Sequence, residues 1–186
     1  DLEVNFTIDP SNSSSEELSD KDLKLVSNAS VINPDRNLKI LHSVQDCLKD
    51  PEKESILIFA ASTMHCMILQ TIFRKNGIES GVVLGSTNKF DRSRIIDDFK
   101  TKKLKVLINY SVLSTGFDAP KLNTLIIART INSNILGSQI IGRALRGPKN
   151  GGNEKNTIIV LKDNITGVDN PSFLFSYWEN FWGKSL

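Results

Sequence analysis

Cysteine is scarce in this 186-residue chain, where Cys47 and Cys66 are the whole complement. Two cysteines with no C-x-x-C pair build neither a disulfide scaffold nor a paired zinc cluster. Each lies among apolar neighbours in a helical pattern, which marks both as small core residues. Histidine is as rare, and His42 and His65 fall in unrelated helical patterns without recognisable partners. No H-E-x-x-H, G-x-G-x-x-G or G-x-S-x-G occurs, so the usual signatures of a zinc peptidase, a dinucleotide fold and a serine hydrolase are missing. Long apolar runs are also lacking. Stretches such as Ile56 to Ala61 stop far short of the roughly 20 residues that span a bilayer, which excludes a transmembrane helix. The first residues, Asp1-Leu2-Glu3-Val4, have no basic start, no apolar stretch and no initiator Met. The expectation is a cytoplasmic fragment of a longer chain, without membrane attachment.

A dominant charge sign is missing too, with 23 Lys+Arg against 21 Asp+Glu and a formal net charge of +2. The distribution is less even. Residues 1–30 hold seven acidic and two basic residues, so the body from residue 31 carries 21 basic against 14 acidic. Within it, Lys89 to Lys105 contains seven basic and three acidic side chains. Such a stretch can face a polyanion, and it can equally be a solvated helix face followed by a basic turn.

What is present is a regular alternation. Residues 1–30 include a Ser-rich stretch and read as a linker or edge segment from a preceding domain. Asn33-Pro34 then reads as an N-cap with Pro at the first helical position, followed by Leu38, Leu41, Val44 and Leu48 at helical spacing. Ile56 to Ala60 is a short apolar strand. Ser62 caps a helix lined by Met64, Met67, Ile68, Ile72 and Phe73, which stops at Asn76-Gly77. Strands at Gly81–Leu84, Leu104–Ile108, Thr124–Ala128 and Thr157–Leu161 follow, with helices over about 90–100 and 134–145 between them. Short, continuously apolar strands separated by amphipathic helices specify an open α/β fold with a parallel sheet covered on both faces. The globular unit is expected over 31–165. Residues 166–186 form an aromatic C-terminal helical extension, with six of the chain's 13 aromatic residues between Phe173 and Trp182. That cluster can stack on bases, or dock on a core or a neighbouring domain.

The most specific local pattern is Gln139-x-x-Gly142-Arg143-x-x-Arg146. Two guanidiniums three residues apart share a helix face, and arginine can hold phosphate oxygens in a bidentate fork. The second is Ser114-Thr115-Gly116-Phe117-Asp118-Ala119-Pro120, directly after a strand. Gly116 permits close backbone approach, Thr115 offers a hydroxyl, and Asp118 can accept hydrogen bonds from ribose. The alternatives are a surface helix with two arginines and a plain turn.

Taken together, these patterns resemble motifs V and VI of the superfamily 2 helicases, the DEAD/DEAH-like ATPases of nucleic acid. The strand end Ile56 to Ser62 is similar to motif IV. Arg92, seven residues before Phe99, matches the arginine of accessory motif IVa, although Lys89 replaces the family's Gln. The resemblance spans about residues 35–162. It implies a RecA-like open sheet with helices on both faces, acting as the second of two motor domains. ATP with Mg2+ would be bound mainly by a first, N-terminal RecA-like domain of the same protein, and a nucleic acid strand would lie across both. Arg143 and Arg146 would then be arginine fingers, with Gln139 positioning the nucleotide or the finger helix. Gly116 and Asp118 would serve the nucleotide, while Ser62, Arg92 and Thr115 would contact strand phosphates. No metal ligand is implied.

The missing motifs agree with a half site. A P-loop needs G-x-x-x-x-G-K-[S/T], and where Gly142 and Gly147 come nearest to it, Pro148 occupies the lysine position and has no N–H to donate. Ile95-Ile96-Asp97-Asp98 reads as a helix face rather than a metal-binding acidic motif. An isolated fragment of this kind is expected not to hydrolyse ATP. The T-G-F-D-A-P and Q-x-x-G-R-x-x-R forms look closer to the DNA-acting, non-DEAD branch, so DNA is favoured over RNA. Two alternatives stay open: a duplex DNA translocase subunit of a restriction or repair complex, and a non-catalytic α/β interaction module.

Overall fold

A computed structural model describes residues 31–110, 122–129, 141, 153 and 155–161. Helix α1 (Pro34–Leu48) begins as the sequence predicts. The Asn33 side chain accepts hydrogen bonds from the N–H groups of Asp35 and Arg36, and Pro34 needs no partner in the first turn. Strand β1 (Ile56–Ala60) follows, then α2 (Thr63–Lys75), capped by Ser62 and ended by Asn76 and Gly77, whose φ of 71° suits glycine. Next come β2 (Ser80–Val83), α3 (Lys89–Lys100), β3 (Val106–Asn109), β4 (Thr124–Ala128) and β5 (Thr157–Val160).

The five strands form one sheet in the order β2-β3-β1-β4-β5, and every pairing is parallel. Because side chains alternate across a strand, each apolar run supplies two cores at once. Leu57, Phe59, Leu107, Leu125, Ile127 and Ile158 point to one face, where Phe99 of α3 joins them. Ile56, Ile58, Val106, Ile108 and Ile126 point to the other, against Ile40, Leu41 and Val44 of α1 and Cys66, Leu69 and Phe73 of α2. Both cysteines are free and buried here, as expected, and burial pushes the Cys66 thiol up to about 12.

The helices are rotated relative to their apolar counts. Met64 and Met67, expected to line α2, are 64% and 52% exposed, whereas His65, Cys66, Leu69 and Phe73 face the sheet. On α1, Leu38 lies outside the buried stripe, which runs instead through Arg36, Asn37, Ile40, Leu41, Val44 and Cys47. In both cases the inward stripe contains polar residues, which a count of apolar side chains passes over. Strand ends shift by one or two residues: β2 starts at Ser80 rather than Gly81, and β3 at Val106 rather than Leu104. The expected segments 1–30 and 166–186 lie outside the described residues, as does the expected helix over 134–145 apart from Ile141, which is helical and buried.

Gly81 sets how closely α3 can lie on the edge of the sheet. A Cβ at this position would stand 2.5 Å from Leu104 Cδ2 and 2.7 Å from Ile95 Cγ2, both carbons of packed side chains. Gly81→Ala should therefore cost about 1–3 kcal/mol of stability by overpacking, read as a lower urea midpoint with an unchanged slope. Gly85→Ala, where no atom lies within 4 Å of the added carbon, should stay within about 0.5 kcal/mol of the parent.

Candidate functional site

Parallel pairing brings the C-terminal ends of all five strands to one edge of the sheet. Phe59 and Val83 each stand opposite Asn109, Ala60 opposite Ala128, and Ile127 opposite Val160, so the ends are level. The chain leaves this edge after Ala60, Val83, Asn109, Ala128 and Val160, and open parallel sheets use this edge for ligands.

At the β1 exit, Ser62 caps α2. Its Oγ accepts the His65 N–H at 3.1 Å, and its carbonyl accepts the Cys66 N–H. A hydroxyl whose oxygen is engaged as acceptor still has its own proton to donate, so Ser62 can offer an O–H to an anion at the start of α2, where the helix dipole also favours negative charge.

The β2 exit is a closed turn. Leu84 N–H donates to Thr87 Oγ1 at 2.9 Å, Thr87 N–H donates back to the Leu84 carbonyl at 3.1 Å, and Asn88 caps α3 through Asp91 N–H. Arg92 reaches back from α3, its Nη2 donating to the Leu84 carbonyl at 2.9 Å and lying 3.5 Å from those of Gly85 and Thr87. Its Nε is buried and has no hydrogen-bond partner among the described residues. One face of the guanidinium thus organises the turn. Of the basic run expected to face a polyanion, several members are tied to acids on the surface: Arg94 to Asp91, Lys103 to Asp98, and both Lys102 and Lys105 to Glu54. Exposed pairs of this kind contribute little stability.

At the exits of β3 and β4, the Arg129 guanidinium stacks over the Tyr110 ring at 5.2 Å from its centroid, and burial lowers its pKa from the ordinary value. The segments that begin beyond this pair carry the remaining predicted residues. Thr115, Gly116 and Asp118 belong to the connection from β3 to β4, and Gln139, Arg143 and Arg146 to the span from β4 to β5; all six lie outside the described residues.

The residue that motif reasoning missed is His65. Expected to lack partners, it is fully buried behind the β1 exit, with Nδ1 3.1 Å from Ala61 N and Nε2 2.9 Å from Asn37 Oδ1. Asn37 Nδ2 in turn donates to the Val31 carbonyl at 3.0 Å. Next to it on α1, Arg36 donates from Nη1 to the Ala128 carbonyl at 3.3 Å. The only signal in the sequence is that His65 falls at i, i+4 and i+8 with Leu69 and Phe73, on an otherwise apolar stripe.

Among the described residues, no group of three or more His, Cys, Asp or Glu side chains is placed to hold a metal ion. No described helix is long and apolar enough to cross a membrane.

Comparison with known proteins gives a consistent result. Residues 39–148 match the family described as the helicase conserved C-terminal domain. A Schizosaccharomyces pombe protein named as a mitochondrial ATP-dependent helicase, irc3, is 36% identical over 94 residues, covering 50% of this chain and 16% of its own length. A Saccharomyces cerevisiae protein named as an ATP-dependent helicase, IRC3, is 30% identical over 126 residues, covering 67% of this chain and 18% of its own length. The chain therefore spans less than a fifth of either relative. Among solved structures, the C-terminal domain of the DEAD-box protein Dbp5 superposes with a TM-score of 0.60 at 23% identity, over 82% of this chain and 81% of that one.

The His65 environment predicts a pH dependence of stability. Desolvation, followed by the neighbouring Arg36 charge, lowers its pKa from 6.5 to about 4. The folded state thus favours the neutral ring, and between these values the unfolded chain binds more protons. The stabilisation is complete above pH 6.5 and is lost as pH falls towards 4. Urea unfolding should show a loss of about 2 kcal/mol between pH 8 and pH 5 that a His65→Asn variant does not show.

Proposed function

The chain belongs to the helicase conserved C-terminal domain family, and on that premise we propose that it is the second motor domain of an ATP-dependent nucleic-acid helicase. Its RecA-like sheet presents every functional connection from one edge, as such a motor requires. The observation that carries the reading is the coincidence of the family match with the level strand ends from which the Thr115–Asp118 and Gln139–Arg146 segments depart.

In this reading residues 1–30 connect to a first RecA-like domain, and ATP with Mg2+ is held mainly there. This chain contributes arginines, and guanidinium groups fit phosphate oxygens rather than a metal. Arg146 and Arg143 neutralise charge developing on the transferring phosphoryl group, a contribution of about 10³–10⁵ in rate in related systems. Gln139 positions the finger segment, Gly116 lets the backbone approach the nucleotide, and Asp118 accepts hydrogen bonds from its ribose. Ser62 and Thr115 donate hydroxyls to phosphates of one strand, and Arg92 adds positive charge toward the same strand. These contacts grip the backbone without reading sequence. Closure of the two domains on ATP and their release after hydrolysis move the strand.

The motif forms favour DNA over RNA. A second reading within the same family, a duplex DNA translocase that pumps without separating strands, shares every contact above. Strand-displacement and triplex-displacement assays on the full-length protein separate the two.

Arg146→Ala in the full-length protein should abolish strand-stimulated ATP hydrolysis while leaving nucleotide binding near normal, and near-normal turnover would overturn the finger assignment. Arg92→Ala should weaken strand binding and reduce the slope of log affinity against log salt by about one, as expected for a lost phosphate contact. If the slope is unchanged and only the urea midpoint falls, Arg92 serves the Leu84 turn alone.

A further inference from the structure

The hydrogen-bond chain behind the β1 exit runs in one direction only. Ala61 N–H donates to His65 Nδ1, so that nitrogen carries no proton. The ring proton is then on Nε2, which donates to Asn37 Oδ1. Asn37 Nδ2 donates to the Val31 carbonyl, which fixes the amide orientation and closes the chain. Every member is buried or backbone, and no alternative tautomer satisfies all three links. The histidine also clamps the next residue from the other side, since its own N–H donates to Ser62 Oγ. Ala61 and Ser62 are thus held from both the ring and the backbone of one residue.

The same first turn of α1 reaches the neighbouring strand. Arg36, adjacent to Asn37, donates to the Ala128 carbonyl, and Ala128 stands opposite Ala60 in the sheet. One helical turn therefore secures the exits of β1 and β4 together. Beyond β4 the chain continues to Gln139, Arg143 and Arg146.

We propose that His65 is a positioning residue for strand binding: through its Ala61 and Asn37 links it holds the Ser62 hydroxyl at the sheet edge and ties that loop to the β4 exit. This rests on the assignment of Ser62 as a strand contact. A histidine suits the role because its two ring nitrogens stand at opposite sides of a rigid plane and serve as acceptor and donor at once. No flexible side chain of that length holds both partners with so little loss of rotamer freedom.

Two substitutions separate the links. Asn places its oxygen near the Nδ1 position and can keep the Ala61 N–H satisfied while giving up Asn37. Gln extends to the Nε2 position and can keep Asn37 while giving up the link to the Ala61 N–H. In the full-length protein, the concentration of a single-stranded oligothymidylate giving half-maximal ATP hydrolysis should rise about tenfold in His65→Gln, the effect of losing one buried hydrogen bond that orders the loop. His65→Asn should stay within about threefold of the parent, and the saturated rate of both should change far less than the half-maximal concentration. Amide exchange should show Ala61 as protected in His65→Asn as in the parent and markedly less protected in His65→Gln. A merely structural role predicts instead that strand response follows the loss of thermal stability equally in the two variants, and that result overturns the proposal. Unaltered exchange at Ala61 in His65→Gln overturns it as well. Should the parent show no strand-stimulated hydrolysis, the motor reading fails, while the exchange data still judge whether His65 holds the loop.

Discussion

Strand β1 is bonded along both edges, to β3 on one side and β4 on the other, and none of its five side chains reaches water. A strand in that position must be apolar at every residue, since each face is covered by helices and every backbone group is committed to a neighbour. Its register then dictates the rest. Ile56 aligns with both Val106 and Thr124, so the strands start level, and after four or five residues they end level as well. The candidate site exists because those ends coincide. A one-residue slip of any strand would turn its side chains to the wrong core and carry its loop off the common edge.

On this rigid base the loops differ in how they are held. The turn after β2 is self-supporting, closed by Thr87 and by Arg92 from the next helix. The loop after β1 is held from behind, by a buried histidine that belongs to the helix the loop leads into. Both devices use polar groups to fix backbone that sheet pairing no longer holds. Buried polar networks are worth keeping only when every member is satisfied, and the Ala61–His65–Asn37–Val31 chain meets that condition. A lysine at position 65 would bury a second positive charge beside that of Arg36, at far greater cost.

Much of the fold was legible from the chain because parallel strands announce themselves as unbroken apolar runs. Ile56–Ala60 and Thr124–Ala128 match the expected strands residue for residue, and the Asn33-Pro34 and Ser62 helix starts have the expected caps. Helix faces were harder to place. Met64 and Met67 are apolar yet exposed, while Arg36, Asn37 and His65 are polar yet buried. Apolar periodicity measures transfer preference, and a polar side chain that finds all its partners escapes that measure. For the site, motif spacing pointed to Ser62 and Arg92 as candidates, which lie at the start of α2 and on α3, but the engagement of Arg92 with the Leu84 carbonyl was not foreseen, because it depends on a turn that only the packed helix can reach.

Strand patterning determined by itself a parallel α/β sheet, and the T-G-F-D-A-P and Q-x-x-G-R-x-x-R spacings carried the resemblance to helicase C-terminal domains. Those properties reside in local order along the chain: runs, caps and fixed intervals. Which side chains stand behind the loops was decided only by tertiary structure. Hydrogen bonds such as Asn37 to His65 and Arg36 to Ala128 join residues 28 and 92 positions apart. No local rule relates such residues; the sheet register brings the strand ends together, and the two helices must then fit over them.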